Sequence, residues 1–422
     1  MKAFNIKKIS TFLLMLFAAG MAYVVTSCDD DPHKFESTSG KPTIHYLRMP
    51  DIELADQVIE GAYMENTICI VGDNLRSVRK IIFNDQEAIL NTSFITDHTL
   101  FVNIPKELPG DVTDMMYLIT KKDTVEYPFT VLIPAPIARS ISNEYAFDGQ
   151  KVTLYGDYFI EEPDFPVKVT MSGNLPVTEI LSVDKTEVTF VIPEGAEKGY
   201  ITVESIHGIS RSKFQFRDDR GFILDWDELN ANGGWRAGVI RSNDPVKGIK
   251  GNYVYFGGDI PGDNSDWNED DFSFNLWGEQ NGRPKGDLFD IPIEEALLKF
   301  EINVSEPWAG NALQMIFHPW DFGVDEEGEK IDPNNAYIAN KEVPRGLWRP
   351  WEETGSFVTD GWITVSFPLK DFIYDHEGNV AKNPLKKGEC GSLTFFVYHG
   401  GIEGEPSSPK ISIDNIRVVP AE

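Results

Sequence analysis

From Pro42 onward the chain alternates short runs rich in Val, Ile, Thr, Phe and Tyr with clusters of Gly, Pro, Asn and Asp, and long helical periodicity is hard to find. Alternation with a period of two sends neighbouring side chains to opposite faces of a strand. The chain is therefore predicted to be all-β. The rows are most legible near the C-terminus: Phe272, Phe274 and Leu276; Leu298, Phe300, Ile302 and Val304; Leu313, Met315 and Phe317; Ile363, Val365 and Phe367; Leu393, Phe395 and Val397. These are predicted to face a core. On the other parity lie Asn275, Trp277, Gln314 and His318, which gives the opposite face an amide and aromatic character.

An internal repeat organises the first half. The segment Thr67 to Leu75 matches Lys151 to Phe159, with Gly72 and Gly156 falling 84 residues apart, and Leu100 to Pro105 matches Val188 to Pro193. A repeat of this length is a domain rather than a solenoid unit. Each copy has an opening proline, a strand ending in Gly-Asp-x-Leu/Phe and a strand ending in Ile-Pro, and so resembles the immunoglobulin-like TIG (or IPT) module. The expected fold is two such sandwiches in tandem, at 42–133 and 134–217, followed by a larger jelly-roll-like β-sandwich at 218–422. Pro134-Ala135-Pro136 reads as a stiff joint, since proline fixes its own φ and restricts its predecessor. Lys410 to Val418 is similar to the last strand of many carbohydrate-binding sandwiches.

The first residues read as an address. Lys2, Lys7 and Lys8 precede an apolar run, Phe12 to Val25, that is short for a spanning helix. Val25-Thr26-Ser27-Cys28 resembles a bacterial lipobox, which implies a signal peptide at 1–27, lipidation of Cys28 and a flexible tether at 28–41. A free or buried cysteine beside a signal-anchor helix is the plainer alternative. Asp29-Asp30-Asp31 resembles the export signal of Bacteroidota lipoproteins, which implies the outer membrane, cell-surface side, with the membrane reached through the lipid anchor only. Cys69 and Cys390 lie in separate strand-like stretches and read as two buried thiols.

Charge and aromatic content narrow the partners. With 67 acidic residues against 38 basic ones the formal charge is −29, and loss of the three leader lysines takes it to −32. Such a chain repels a phosphate backbone, so no nucleic acid is expected. All nine tryptophans fall at or beyond Trp226. Trp226 shares parity with Phe222 and Leu224 and reads as core, while Trp235 and Trp362 fit rim or core. Trp267, Trp308, Trp320, Trp348 and Trp351 sit in Asn-, Asp-, Pro- and Gly-rich loops and, with Trp277, are the candidate platform. An indole face suits the C–H face of a pyranose, and Asn275, Gln314 and Glu352 are candidates to select hydroxyls. Packing over sandwich ends is the competing reading for the loop tryptophans.

No G-x-S-x-G, H-E-x-x-H or phosphate-cradling loop is present, so the chain is not expected to be an enzyme. The carboxylates of Asp321 to Asp332 put Glu326 where a calcium loop needs glycine, so the segment reads as a hairpin tip and no cofactor is expected; a structural calcium has no sequence signature. Lipidated cysteine, TIG copies and a Trp-rich end containing Gly346 to Glu352 and Gly361 to Phe372 together resemble the surface glycan-binding proteins of Bacteroidota polysaccharide utilisation loci, nearest the second such protein of xyloglucan-type loci. That resemblance implies non-catalytic capture of a polysaccharide for a surface glycanase and an outer-membrane importer. Charge favours a neutral glycan, and the resemblance implies a β-glucan, xyloglucan or mixed-linkage glucan. An adhesin or complex-assembly protein, with the same aromatics forming a protein interface, is the alternative.

Overall fold

The repeated glycine has a steric cause. A Cβ at Gly72 would collide with the Thr43 carbonyl oxygen, and one at Gly156 with that of Ile137. At both places the opening strand is bulged against its neighbour, between Ile44 and Tyr46 and between Ala138 and Ser140. Only a residue without a side chain lets the two backbones approach this closely.

The computed structural model describes residues 37–231, 239–244, 249–263, 271–324, 327–329 and 343–421. The leader, Cys28, Trp235, Trp267 and the hairpin tip at Glu326 lie outside them. Among the described residues there are strands and short 3-10 turns, and no helix is long and apolar enough to cross a membrane. The chain divides into two compact units, 1–134 and 135–422.

The first unit holds β1 (Thr43–Arg48), β2 (Gly61–Tyr63), β3 (Thr67–Asp73), β4 (Lys80–Phe83), β5 (Gln86–Ala88), β6 (Thr99–Asn103), β7 (Met115–Ile119), β8 (Thr124–Pro128) and β9 (Thr130–Leu132). Sheets β1-β3-β6 and β5-β4-β7-β8 enclose one core, with Ile68, Ile70 and Leu100 from the first meeting Ile81, Phe83 and Met116 from the second. Cys69 is a buried free thiol in β3.

The second unit begins with the other copy: β10 (Ile137–Ile141), β11 (Lys151–Asp157), β12 (Lys168–Met171), β13 (Leu175–Pro176), β14 (Ile180–Val183), β15 (Glu187–Val191), β16 (Gly199–Ser205) and β17 (Gly208–Phe216). Its sheets, β10-β11-β15-β14 and β13-β12-β16-β17, close around Leu154, Val169, Phe190 and Phe216. The remainder comprises β18 (Phe222–Leu224), β19 (Val239–Asp244), β20 (Ile249–Gly257), β21 (Ser273–Leu276), β22 (Ala296–Glu306), β23 (Leu313–His318), β24 (Gly346–Trp348), β25 (Ile363–Pro368), β26 (Ser392–Val397) and β27 (Lys410–Pro420). Here a larger sheet, β19-β20-β27-β22-β25 with β18 also on β27, faces a smaller one, β21-β26-β23-β24. Between them lies the largest core, which contains the expected rows of β21, β22, β23 and β26. Trp226 is in that core, as its parity predicts, and Cys390 is a second buried free thiol.

The outer face of the larger sheet is closed by the second copy. Arg417 reaches from β27 to Glu301 at 2.9 Å and to Glu144 of the second copy at 2.7 Å, and Lys299 pairs with Glu144 at 2.6 Å. Thr364 Oγ1 donates to Glu301 and accepts from the Glu144 N–H, while the Thr364 N–H donates to the Ser142 carbonyl. All four charged side chains are buried. Burial opposes the charge on Arg417, but the two carboxylates outweigh it and raise its pKa. Trp362, which the sequence left between rim and core, packs edge-on against Tyr253 at 5.3 Å and is buried.

Candidate glycan-binding face

The outer face of the smaller sheet carries the side chains that parity assigns to it. Every residue of β21, β23 and β26 is buried, so this sheet is covered on both sides. On the outer side Trp277, Ile316 and Phe396 form a separate apolar cluster with Phe322, Val343 and Tyr398 packed against it. The segments that follow β23 and precede β24 supply Phe322 and Val343.

Two aromatic groups mark the ends of this face. At one, Trp277 meets His318 and Phe322 at ring distances of 5.6 and 5.5 Å. Trp320 joins them: its carbonyl accepts from the Glu279 N–H, and its indole N–H donates to the Arg283 carbonyl at 2.9 Å. Side chains at Gly278 and Gly391 would collide with neighbouring backbone and with Trp320, so the two glycines are what lets this tryptophan sit against the sheet end. At the other end Phe396 stacks on Tyr398 at 5.1 Å, followed by Tyr398 to His399 at 5.4 Å and His399 to His376 at 5.5 Å.

Polar groups beneath fix these rings. Gln314 Nε2 donates to the Tyr398 carbonyl at 2.6 Å, and Gln314 Oε1 accepts from Arg345 at 2.8 Å. The Thr394 hydroxyl donates to Asn275 Oδ1 at 2.7 Å, and Asn275 Nδ2 is buried without an acceptor. Burial, and then the charge of Arg345, hold the pKa of His318 down at about 3, so its imidazole is neutral. Among the described residues no three His, Cys, Asp or Glu side chains gather as metal donors.

The candidate platform is thus divided. Trp308 and Trp351 are corrections: both belong to the main core, and their indole N–H groups donate to the carbonyls of Gly310 and Asn311. They plug the end of the sandwich and present no ring to solvent. Trp348 is half-buried on the same core side, ringed by Trp308, Phe357 and Phe367 at 5.5–5.9 Å. Asn275 and Gln314 do face outward, but both are buried, and their bonds support the sheet and its rings rather than stand open as hydroxyl selectors. Trp277 is buried at 7% exposure, and Trp320, half-buried, is held at the same sheet end by its bonds to Glu279 and Arg283. Glu352 is exposed and paired with Arg349 at 3.1 Å, and Arg349 also donates to the Gly400 carbonyl beside His399. Tyr398, Phe396, His399, His376 and Phe322 were missed. The signal was available for two of them: Thr394, Phe396 and Tyr398 alternate with the core row Leu393, Phe395 and Val397.

This half of the chain is the part that a known family's own description fits. Residues 216–420 fit the family described as the surface glycan-binding protein B xyloglucan binding domain. The crystal structure of the surface glycan-binding protein PbSGBP-B from Prevotella bryantii superposes with a TM-score of 0.66 at 34% identity, covering 91% of this chain and 100% of that one. An IPT/TIG domain-containing protein of Bacteroides ovatus is 26% identical over 223 residues, which are 48% of this chain and 44% of that protein, so the chain spans less than half the length of this curated relative. Matched over 91% of its length by a structure more than 30% identical, and over its aromatic domain by the family's own model, the chain belongs to the surface glycan-binding protein B family of non-catalytic binding proteins.

Proposed function

We propose that the chain captures a neutral β-glucan, xyloglucan first among them, on the aromatic layer that covers the outer face of the smaller sheet of its last domain. The observation that carries this reading is the pair of aromatic groups, Trp277, Trp320 and Phe322 at one end and Tyr398, His399 and His376 at the other, on one rigid sheet within the segment that fits a xyloglucan-binding family. Sugar C–H faces lie on the rings, and hydroxyls meet the imidazoles, the phenol and the exposed Glu352. The backbone and indole anchors already present lower the ordering cost of binding. Trp267 is a further candidate platform residue by sequence.

The finer architecture belongs to the same proposal: TIG-like sandwiches at 42–133 and 134–217 and a jelly-roll-like glycan-binding domain at 218–422. So do the signal peptide at 1–27, the lipid anchor on Cys28, the outer-membrane location, and delivery of glycan to a surface glycanase and importer. With many anchored copies on one polymer, micromolar sites at about −8 kcal/mol suffice, because avidity needs no new contact.

Affinity gel electrophoresis of residues 29–422 against neutral and acidic polysaccharides tests the reading. Retardation by xyloglucan is expected, weakened about tenfold or more in Trp320→Ala and in Tyr398→Ala, with both variants still folded. A chain that no polysaccharide retards, or that both variants leave unchanged, overturns it.

A further inference from the structure

The two repeated sandwiches differ at one edge. In the second copy β14 lies along β15, pairing Ile180 with Phe190 and Val183 with Val188, and the Glu179 carbonyl accepts from the Val191 N–H at 3.0 Å. In the first copy β6 is the counterpart of β15, since each is the neighbour of the strand bearing the repeated glycine. Yet the chain between β5 and β6 makes only a 3-10 turn, Thr92–Phe94, and meets β6 at its start alone, through the Ile95 to Leu100 bridge and the bonds between Thr96 and Thr99.

Parity then says what is left open. The Ile104 N–H donates to the Asn66 carbonyl, and the His98 carbonyl accepts from the Gly72 N–H, so the even-numbered residues of β6 face β3. The carbonyl of Phe101 and both backbone groups of Asn103 point the other way, and they have no partner among the described residues. Next to them lies a cleft of about 820 Å³, lined by Ile89, Phe94 and Phe101 and rimmed by Glu65, Glu87, Lys106 and Glu107, with Glu87 paired to Lys80 at 2.9 Å, so that carboxylates still outnumber cations at the rim. Ile89 is 91% exposed and Phe94 57% exposed.

We propose that this edge is a β-augmentation site for an extended segment of a partner protein, apolar at alternate positions and flanked by Lys or Arg, which pairs with β6 in the place β14 fills in the second copy. An unpaired strand edge supplies main-chain affinity, and an adjoining pocket supplies side-chain selection. The occupied form is already drawn by β14, whose Ile180 and Val183 pack on their own core. The acidic rim chooses among occupants. A second copy of this chain, paired edge to edge across a two-fold axis, would set Glu65, Glu87 and Glu107 against their own images, and the Asp29-Asp30-Asp31 stretch of this chain is acidic as well. The cleft has no tryptophan or tyrosine to stack a sugar.

The test uses residues 29–422 and a synthetic peptide carrying Ile180–Val183 between lysines, read by hydrogen exchange and calorimetry. Binding should slow exchange at the Asn103 amide and leave β15 unchanged. A peptide of the same sequence, N-methylated at alternate amides, should bind about tenfold more weakly. Asn103→Pro removes the outward N–H and should weaken binding similarly, whereas Asn103→Ala, which loses only the bond that Asn103 Oδ1 accepts from Thr67 on β3, should not. No slowing at Asn103, equal binding of the N-methylated peptide, or slowing produced by xyloglucan instead of the peptide would each overturn the proposal; the glycan reading of the last domain stands or falls on its own variants.

Discussion

The two outer faces of the last domain have been closed in opposite ways. On the larger sheet, Lys299, Glu301 and Arg417 lie on the parity that would ordinarily meet water, and the second copy covers them with Glu144. On the smaller sheet the covering is aromatic, and His318, beneath its Trp277 end, is held neutral by burial and by the charge of Arg345. One face is thus a joint of opposed charges and the other a layer of rings over a single buried guanidinium. A buried charge survives only with a partner in good geometry, which suits a permanent contact, whereas neutral rings tolerate a ligand that comes and goes.

The sharpest way to break this contrast is Arg417→Met. It leaves Glu144 and Glu301 buried without their shared cation, and about 3–5 kcal/mol of stability should be lost from the second unit. Chemical denaturation of residues 29–422, with a probe in each unit, should show the 135–422 transition moving and the other holding still; a common shift, or none, would mean the joint is not what holds the second copy.

Protonation probes the aromatic face. Above a pH of about 6.5 His318 is neutral in both folded and unfolded chains. As pH falls below that value the unfolded chain binds a proton that the folded one refuses until about pH 3. Stability should therefore fall by about 1.4 kcal/mol per pH unit across that window, beyond whatever the carboxylates contribute. Comparing the slope with that of His318→Gln isolates the effect; identical slopes would show that the ring is not held neutral.

A smaller effect tests the rim. Glu352 is exposed and its pair with Arg349 is short-range, so Glu352→Gln should change stability by less than about 0.5 kcal/mol. Xyloglucan affinity should weaken a few-fold, roughly 0.5–1 kcal/mol, if Glu352 meets hydroxyls at the Tyr398 end. An unchanged affinity would confine the glycan to the rings.

Much of this was legible from alternation alone. The rows of β21, β22, β23 and β26 lie in the core, and Asn275, Trp277, Gln314 and His318 lie on the opposite face, because a strand's period of two fixes parity. Parity does not say what lies on top. The expectation that Asn275 and Gln314 stand open failed because chain from beyond β23 and before β24 packs over that face, and the charged joint was invisible because its four members are separated by up to 273 residues. Trp308 and Trp351 misled for a related reason. A tryptophan in a Gly- and Pro-rich loop reads the same whether its N–H is in water or bound to a backbone carbonyl, of its own loop for Trp308 and of another for Trp351, and only the latter makes it a plug.

The charged joint and the aromatic face lie on opposite sides of one sandwich, and this placement sets a path for force. A polymer dragged across the aromatic face pulls first on the smaller sheet, then through the shared core to β22 and β27, which run antiparallel over eleven residues each. Arg417 sits in β27 and Lys299 and Glu301 in β22, so the joint grips the two longest strands of the domain in their middle rather than at a fraying end. A load that enters at the aromatic face and leaves through the second copy is then shared by many ladder bonds side by side.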